Sequence, residues 1–490
     1  MLRELSDLRE DAARLAAGLA RARYRRAAGL PPEESLPDLV RAHKLAVSAE
    51  GLAQSREVLE EAWAEDPPRA GRVARLSSLH RFLAQARALA LEPGAAQELF
   101  DLPQRPLVRP PGDAGLHGAV PAVRVLRDLP FQRNREKRGE LEAALAAALQ
   151  PADATRSAAW EAAQTAQAEA GFSLPADAAT WAEKALDGTD AITGDLGSWL
   201  LERETGAKTG SAARHDVLHL LHAPRCASAF PAGEMQRTVR RWVEMLRLDP
   251  SGVKLDDEDR PLKWPGASTQ PLDPPYETGL TFLPAEGPRA LANLLGALGE
   301  ALLRTGPPSD APPEDLWLGD PVVRHASAAL LEGLVREREW LRRCAKVELS
   351  RDDERAITIA AVFDVRAAAA STLAALQAHE SGLGARAAAV HREAYTRATG
   401  AELPLGLALC DLDPWLDPLH ELQGRALAAR MRFFLRDLYD EDWWRNPRST
   451  SSLEGLWGRG GRNTNAELWT EIGGVPSAEP LLIELLDAGR

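Results

Sequence analysis

Apolar residues recur every three to four positions along most of this chain, and that spacing commits it to helices. In the first 27 residues Leu5, Leu8, Ala12, Leu15 and Leu19 fall on one stripe, as one buried helix face requires. Gly29 and Pro31-Pro32 then stop the helix. The same alternation of periodic stretch and Pro/Gly stop predicts helices over 36–49, 52–64, 68–91, 136–149, 153–170 and 176–186, with a turn at 188–194. Ala, Leu and Arg, good helix formers, dominate, and aromatics make up only 5% of the residues. A mostly α chain follows. Residues 100–131 carry Pro103, Pro106, Pro110, Pro111, Gly112, Gly115, Gly118, Pro121 and Pro130, which predicts a long loop. We expect two lobes, 1–200 and 201–490, since 490 residues exceed one minimal core.

Strand signals are confined to 253–284. Val253-Lys254-Leu255 and Thr278-Gly279-Leu280-Thr281-Phe282-Leu283 flank Arg260-Pro261 and the prolines at 271–275, which predicts a small β ribbon. Helices resume at Pro288, a first-turn proline, and at Asp320-Pro321, a cap followed by such a proline. The second is expected to run to 349. Others are expected at 353–378, 384–399 and from Asp417-Pro418 to 438.

Net charge is −13, with both signs mixed along the helices and no basic footprint for a phosphate backbone. The run Arg133-Asn134-Arg135-Glu136-Lys137-Arg138 reads as a solvated helix start. Cys226, Cys344 and Cys410 are too few and too widely spaced for a disulfide framework or a cysteine zinc site. No stretch holds about 18 uninterrupted apolar residues, and the first residues are charged. The expectation is a cytoplasmic protein with neither nucleic-acid nor membrane partners.

The order of motifs from 214 to 474 resembles the helical zinc metallopeptidases of the thimet oligopeptidase and oligoendopeptidase type. Asp259-Arg260-Pro261-Leu262-Lys263, a following strand, a Gly287 turn and then a helix are similar to the family's run-up to its H-E-x-x-H site. Tyr439-Asp440-Glu441-Asp442-Trp443-Trp444-Arg445-Asn446-Pro447 resembles its C-terminal signature, and Tyr24 to Leu30 carries a weaker likeness. The resemblance implies a zincin-like, oligopeptidase-type multi-helix fold with two lobes around a groove and a small β ribbon. It also implies zinc held by two His one helical turn apart and a Glu from the next helix, with a Glu general base between the His.

Those residues are replaced. The matching helix reads Gly296-Ala297-Leu298-Gly299-Glu300. Gly296 stands for the first His, Ala297 for the base and Glu300 for the second His, while His325 stands near the third ligand. The helix that carries substrate-facing Tyr in the family reads Leu419-His420-Glu421-Leu422-Gln423. We therefore expect a catalytically inactive homologue without a cofactor. Glu300, Arg324, His325 and His420 would line its groove. Thr278, Leu280 and Phe282 would receive a peptide or protein segment by strand addition. An active peptidase relative is a second candidate partner. The competing reading is an active metal-dependent hydrolase with other ligands. It would use His215 and His219 with Asp216 in place of the missing Glu, where His215, His219 and His222 share a helix face and could bind zinc, or Glu300 with His325. His325 beside Glu300 also reads as a salt-bridged core pair.

Overall fold

The computed structural model describes residues 2–65, 69–109, 118–208 and 210–489. Pro110, Pro111, Gly112 and Gly115 of the expected loop lie outside them. The first helix, α1 (Leu2–Ala27), packs through Leu8, Ala12, Leu15 and Leu19 into an N-terminal apolar core. That core is shared with Leu79 and Leu83 of α2 (Ala70–Leu91). A second, larger core runs from Leu102 to Leu485 and crosses residue 200.

Local signals set many helix ends. The Asp153–Ala170 helix stops at Gly171, whose φ of 72° no β-carbon obstructs. Several boundaries depart from expectation: the helix expected over 36–49 ends at Ala42, and Ala122–Asp128 is helix within the expected loop. The turn expected at 188–194 is instead helix and wide helical turn, continuous into Ser198–Thr205; Gly188 lets the Leu482 side chain pack against the helix where a β-carbon would lie 2.6 Å from it. Pro93–Asp101 is a helix with Pro93 in its first turn, so the proline starts a helix there.

Three strands form the only sheet longer than a two-strand pairing among the described residues. They are β1 (Val253–Asp256), β2 (Ala267–Asp273) and β3 (Glu277–Phe282), in the order β1-β3-β2. β3 runs parallel to β1 and antiparallel to β2. β2 went unrecognised in the sequence because it contains Pro271, which an edge strand tolerates. The end of α1 docks beside this sheet: the Trp264 amide donates to the Ala27 carbonyl (2.9 Å), and Arg260 Nη1 donates to the Ala28 carbonyl (2.9 Å). Lys263, fully buried, donates to Asp256 Oδ1 at 2.9 Å.

After the sheet come α3 (Pro288–Thr305) and α4 (Pro321–Glu332). Asp320 caps α4 as expected, accepting the Val322 amide at 2.8 Å, but α4 ends at Glu332 instead of continuing to 349. α5 (Arg351–Ser381) runs through the main core. It is the one described helix long and apolar enough to cross a membrane, yet 72% of its most apolar window is buried inside the protein. α6 (Asp417–Tyr439) packs on α4, and α7 (Glu479–Gly489) packs in turn on α5 and α6. Trp443 and Trp444 are buried, consistent with packing, and Trp242 Nε1 donates to the Trp444 carbonyl.

Candidate functional site: the crossing of three helices beneath a cleft

Two glycines set the geometry. A β-carbon on Gly299 would lie 2.2 Å from the Ser327 carbonyl oxygen, and one on Gly424 would lie 2.5 Å from the His325 β-carbon. Any side chain there would push α3 or α6 off α4. The Ser327 hydroxyl donates to the Gly299 carbonyl at 2.6 Å and accepts from Trp457 Nε1 at 2.9 Å, which closes the contact.

This close crossing decides which side chains meet. Glu300 Oε1 lies 3.8 Å from Arg324 Nη1, and both are partly buried. Arg324 Nη2 also donates to Asp417 Oδ1 at 2.9 Å, and His325 Nε2 lies 3.0 Å from that same oxygen. The expected Glu300–His325 pair is therefore corrected: Glu300 pairs with Arg324, and His325 pairs with Asp417. Successive helical residues point about 100° apart, so 324 and 325 cannot both face α3. Gly296 faces Ala328 and the Glu332 β-carbon, and the Ala297 carbonyl accepts from Thr269 Oγ1 of β2 at 2.8 Å.

Glu300, Arg324, Asp417 and His420 line a cleft of ≈ 1210 Å³. β2 contributes Thr269, Gln270 and Pro271 to its wall, and α1 and α2 contribute Arg23 and Arg81. Burial and the Asp417 charge push Asp413 up to about 6, against hydrogen bonds from the Asp417 and Trp415 amides. Burial would raise Asp417 as well, but the hydrogen bond from His325 and the charges of His325 and Arg324 hold it well below the usual carboxylate range. Burial and the Arg81 cation lower His420 to about 3.

Behind the crossing lies a charge network that sequence reasoning missed. Arg425 Nη1 donates to Glu332 at 3.1 Å and Nε to Glu421 at 2.9 Å, while Arg289 pairs with Asp364 at 2.6 Å. Only Glu421 and Arg425, one turn apart, left a signal in the sequence. Burial pushes Glu332 up, but Arg425 and Arg336 bring it below its ordinary value.

The expected peptide strand needs correcting too. β3 is the central strand, bonded on both edges, and Thr278, Leu280 and Phe282 are buried at 0%, 2% and 0% exposure. They offer neither a free edge nor an open side chain. The edge strand bordering the cleft is β2.

The three histidines of the Arg214–Leu221 region do not converge. His215 Nδ1 lies 2.9 Å from Glu142 Oε2, His219 Nδ1 donates to the Pro130 carbonyl at 2.6 Å, and His222 packs edge-on against Phe131. Asp216 is engaged by Arg138 at 2.9 Å and by Arg135. The basic run therefore supplies an ion pair whose Arg138 is buried, correcting the solvated reading. Among the described residues no group of three or more His, Cys, Asp or Glu is arranged to hold a metal ion.

No family model and no curated protein matches the sequence. Solved structures match the fold. A putative oligoendopeptidase F from Bacillus anthracis superposes with a TM-score of 0.61 at 11% identity, over 90% of this chain and 83% of that one. The M32 carboxypeptidase from Deinococcus radiodurans gives 0.57 at 15% identity, over 100% and 98%. Metallocarboxypeptidase 1 of Trypanosoma cruzi gives 0.56 at 14%, over 100% of both. The architecture is that of the helical oligoendopeptidase and M32 carboxypeptidase peptidases. One of these neighbours is a metalloenzyme by name, which overturns the expectation, drawn from missing ligands alone, that the chain has no cofactor. The residues at the α3–α4 crossing do not fit such a metal: Gly296 and Ala297 supply no donor atom, and Glu300 faces a guanidinium.

Proposed function

We propose that this chain is a homologue of the helical metallopeptidases that binds a peptide segment in its cleft and does not cleave it at the α3–α4 crossing. One observation carries the reading. Where α3 and α4 meet at the cleft wall, the groups that face each other are Glu300 and Arg324, a carboxylate and a guanidinium in an ion pair at 3.8 Å. Neither activates water while so paired, and Ala297 holds no base. The cleft is large enough for several residues of extended chain, and its wall includes Thr269, Gln270 and Pro271 of the outer strand β2, which supports pairing of a peptide with that strand. The rival hydrolase reading has less support, because His325 turns to Asp417 and the histidines at 215, 219 and 222 each bond elsewhere.

The test is a mixed peptide library incubated with the protein and followed by mass spectrometry and fluorescence anisotropy. Peptides should bind and be recovered intact, with binding lost in Gln270→Trp, which fills the cleft beside β2. Fragments accumulating in proportion to protein, and not in Glu300→Ala, would overturn the inactive reading.

A further inference from the structure

The charges that line the cleft are unevenly committed. Its carboxylates have internal partners: Glu300 and Asp417 hold Arg324, and Asp413 accepts two backbone amides. Asp320 caps α4 and accepts the Asn465 amide, and Asp411 lies 3.9 Å from Arg214. Glu92 remains, exposed. The arginines are different. Arg23, Arg26, Arg81 and Arg304 all line the cleft, and among the described residues none of them makes an ion pair. Arg81 Nη1 and Arg304 Nε are buried with no hydrogen-bond partner. Arg26 lies over the face of Phe100, 4.4 Å away, with Asp101 near enough to act on its charge but not as an ion pair. Arg23 and Arg26 are one helical turn apart, so they share a face of α1, where like charges repel.

Desolvation lowers Arg26 to about 10 and lowers Arg81 and Arg304 from the ordinary arginine value, and the neighbouring charges of Asp101, Asp320 and Glu300 offset it only in part. Burying a guanidinium without a counter-ion is costly, and losing one partner of such a pair leaves that cost uncompensated. Carboxylates match the planar fork of arginine in two parallel bonds. Four arginines without an ion pair in one cleft, two of them with buried nitrogens that lack a partner, are arranged for an anionic occupant.

We propose that the occupant is an acidic peptide segment, its carboxylates held by Arg23, Arg26, Arg81 and Arg304. This rests on the peptide-binding reading and adds the charge of the ligand. Nucleic acid is disfavoured because the cleft wall also carries Glu300, Asp320, Asp411, Asp413 and Asp417: a phosphate backbone is charged at every residue and would meet them, whereas a peptide is charged only where its sequence places a carboxylate.

The experiment uses the full chain and two labelled octapeptides that differ only in Glu against Gln at alternate positions, measured by anisotropy. The Glu peptide should bind about tenfold more tightly at low salt, with the gap closing as salt rises. Arg81→Gln and Arg23→Gln should each erase most of that preference and leave the Gln peptide unchanged, while Arg23→Lys should retain part of it. Thermal unfolding of Arg81→Gln should match or exceed that of the parent, since the substitution removes an uncompensated cation. Equal binding of both peptides would overturn the anionic assignment and leave the cleft reading standing. Binding of neither would overturn both. A single-stranded oligonucleotide that binds more tightly than the Glu peptide would overturn the choice of peptide.

Discussion

Replacing His420 by Gln should make the protein relatively more stable in acid, and the size of the effect follows from the cleft wall. His420 falls from an ordinary 6.5 to about 3 because it is buried beside Arg81. Between those values the unfolded chain binds a proton that the folded protein does not. Stability from this group is therefore full above pH 6.5 and drains away as pH falls towards 3. At ~1.4 kcal/mol per tenfold in proton affinity, the loss at pH 4 is roughly 3 kcal/mol.

Asp413 works the other way. Its rise from 3.8 to about 6 means that the folded state holds the extra proton between those values. Its contribution grows as pH falls through that window, by roughly 2–3 kcal/mol at pH 4. In the parent protein the two nearly cancel. Urea unfolding followed by circular dichroism at pH 7, 5 and 4 separates them. Relative to parent, His420→Gln should gain roughly 3 kcal/mol from pH 7 to 4, and Asp413→Asn should lose a slightly smaller amount. Parallel curves for parent and His420→Gln across that range would refute the placement of His420 in a dry, cationic wall.

The glycines of α3 should behave oppositely. Gly299→Ala drives a β-carbon into the Ser327 carbonyl and should cost about 2–3 kcal/mol in urea unfolding. Gly296→Ala meets nothing nearer than 3.6 Å and should be neutral or stabilise by up to about 1 kcal/mol. Arg432, buried under α4, donates to the Ala329 carbonyl at 2.7 Å and holds Glu484 at 2.6 Å. Arg432→Ala should cost about 3–5 kcal/mol at pH 7. Burial raises Glu484, but Arg432 and Arg336 bring it to about 2. That stability is complete above pH 4.5 and is lost as pH falls towards 2, so the difference between parent and variant should narrow in acid when unfolding is compared at pH 7 and 3.

The sequence by itself determined whatever depends on neighbours along the chain. Helix periodicity, first-turn prolines and caps placed α1, α3, the start of α4 and α6, because these signals act within a turn or two. The order of motifs pointed to the oligoendopeptidase-type fold, and the absence of His and base at Gly296, Ala297 and Glu300 was plain from residue identity. Tertiary structure decided the rest. Whether Arg324 or His325 meets Glu300 depends on the rotation of α4 at a crossing that Gly299 and Gly424 make close. That β3 is central and β2 is the edge depends on pairing, because alternation of side chains looks the same for either. His215, His219 and His222 share a helix face, but Glu142, Pro130 and Phe131, all distant in sequence, claim them one by one. The cleft arginines come from residues 23, 26, 81 and 304, and no local pattern links the pair on α1 to Arg81 or Arg304. Whether a charge is satisfied depends on what the fold brings within about 4 Å of it.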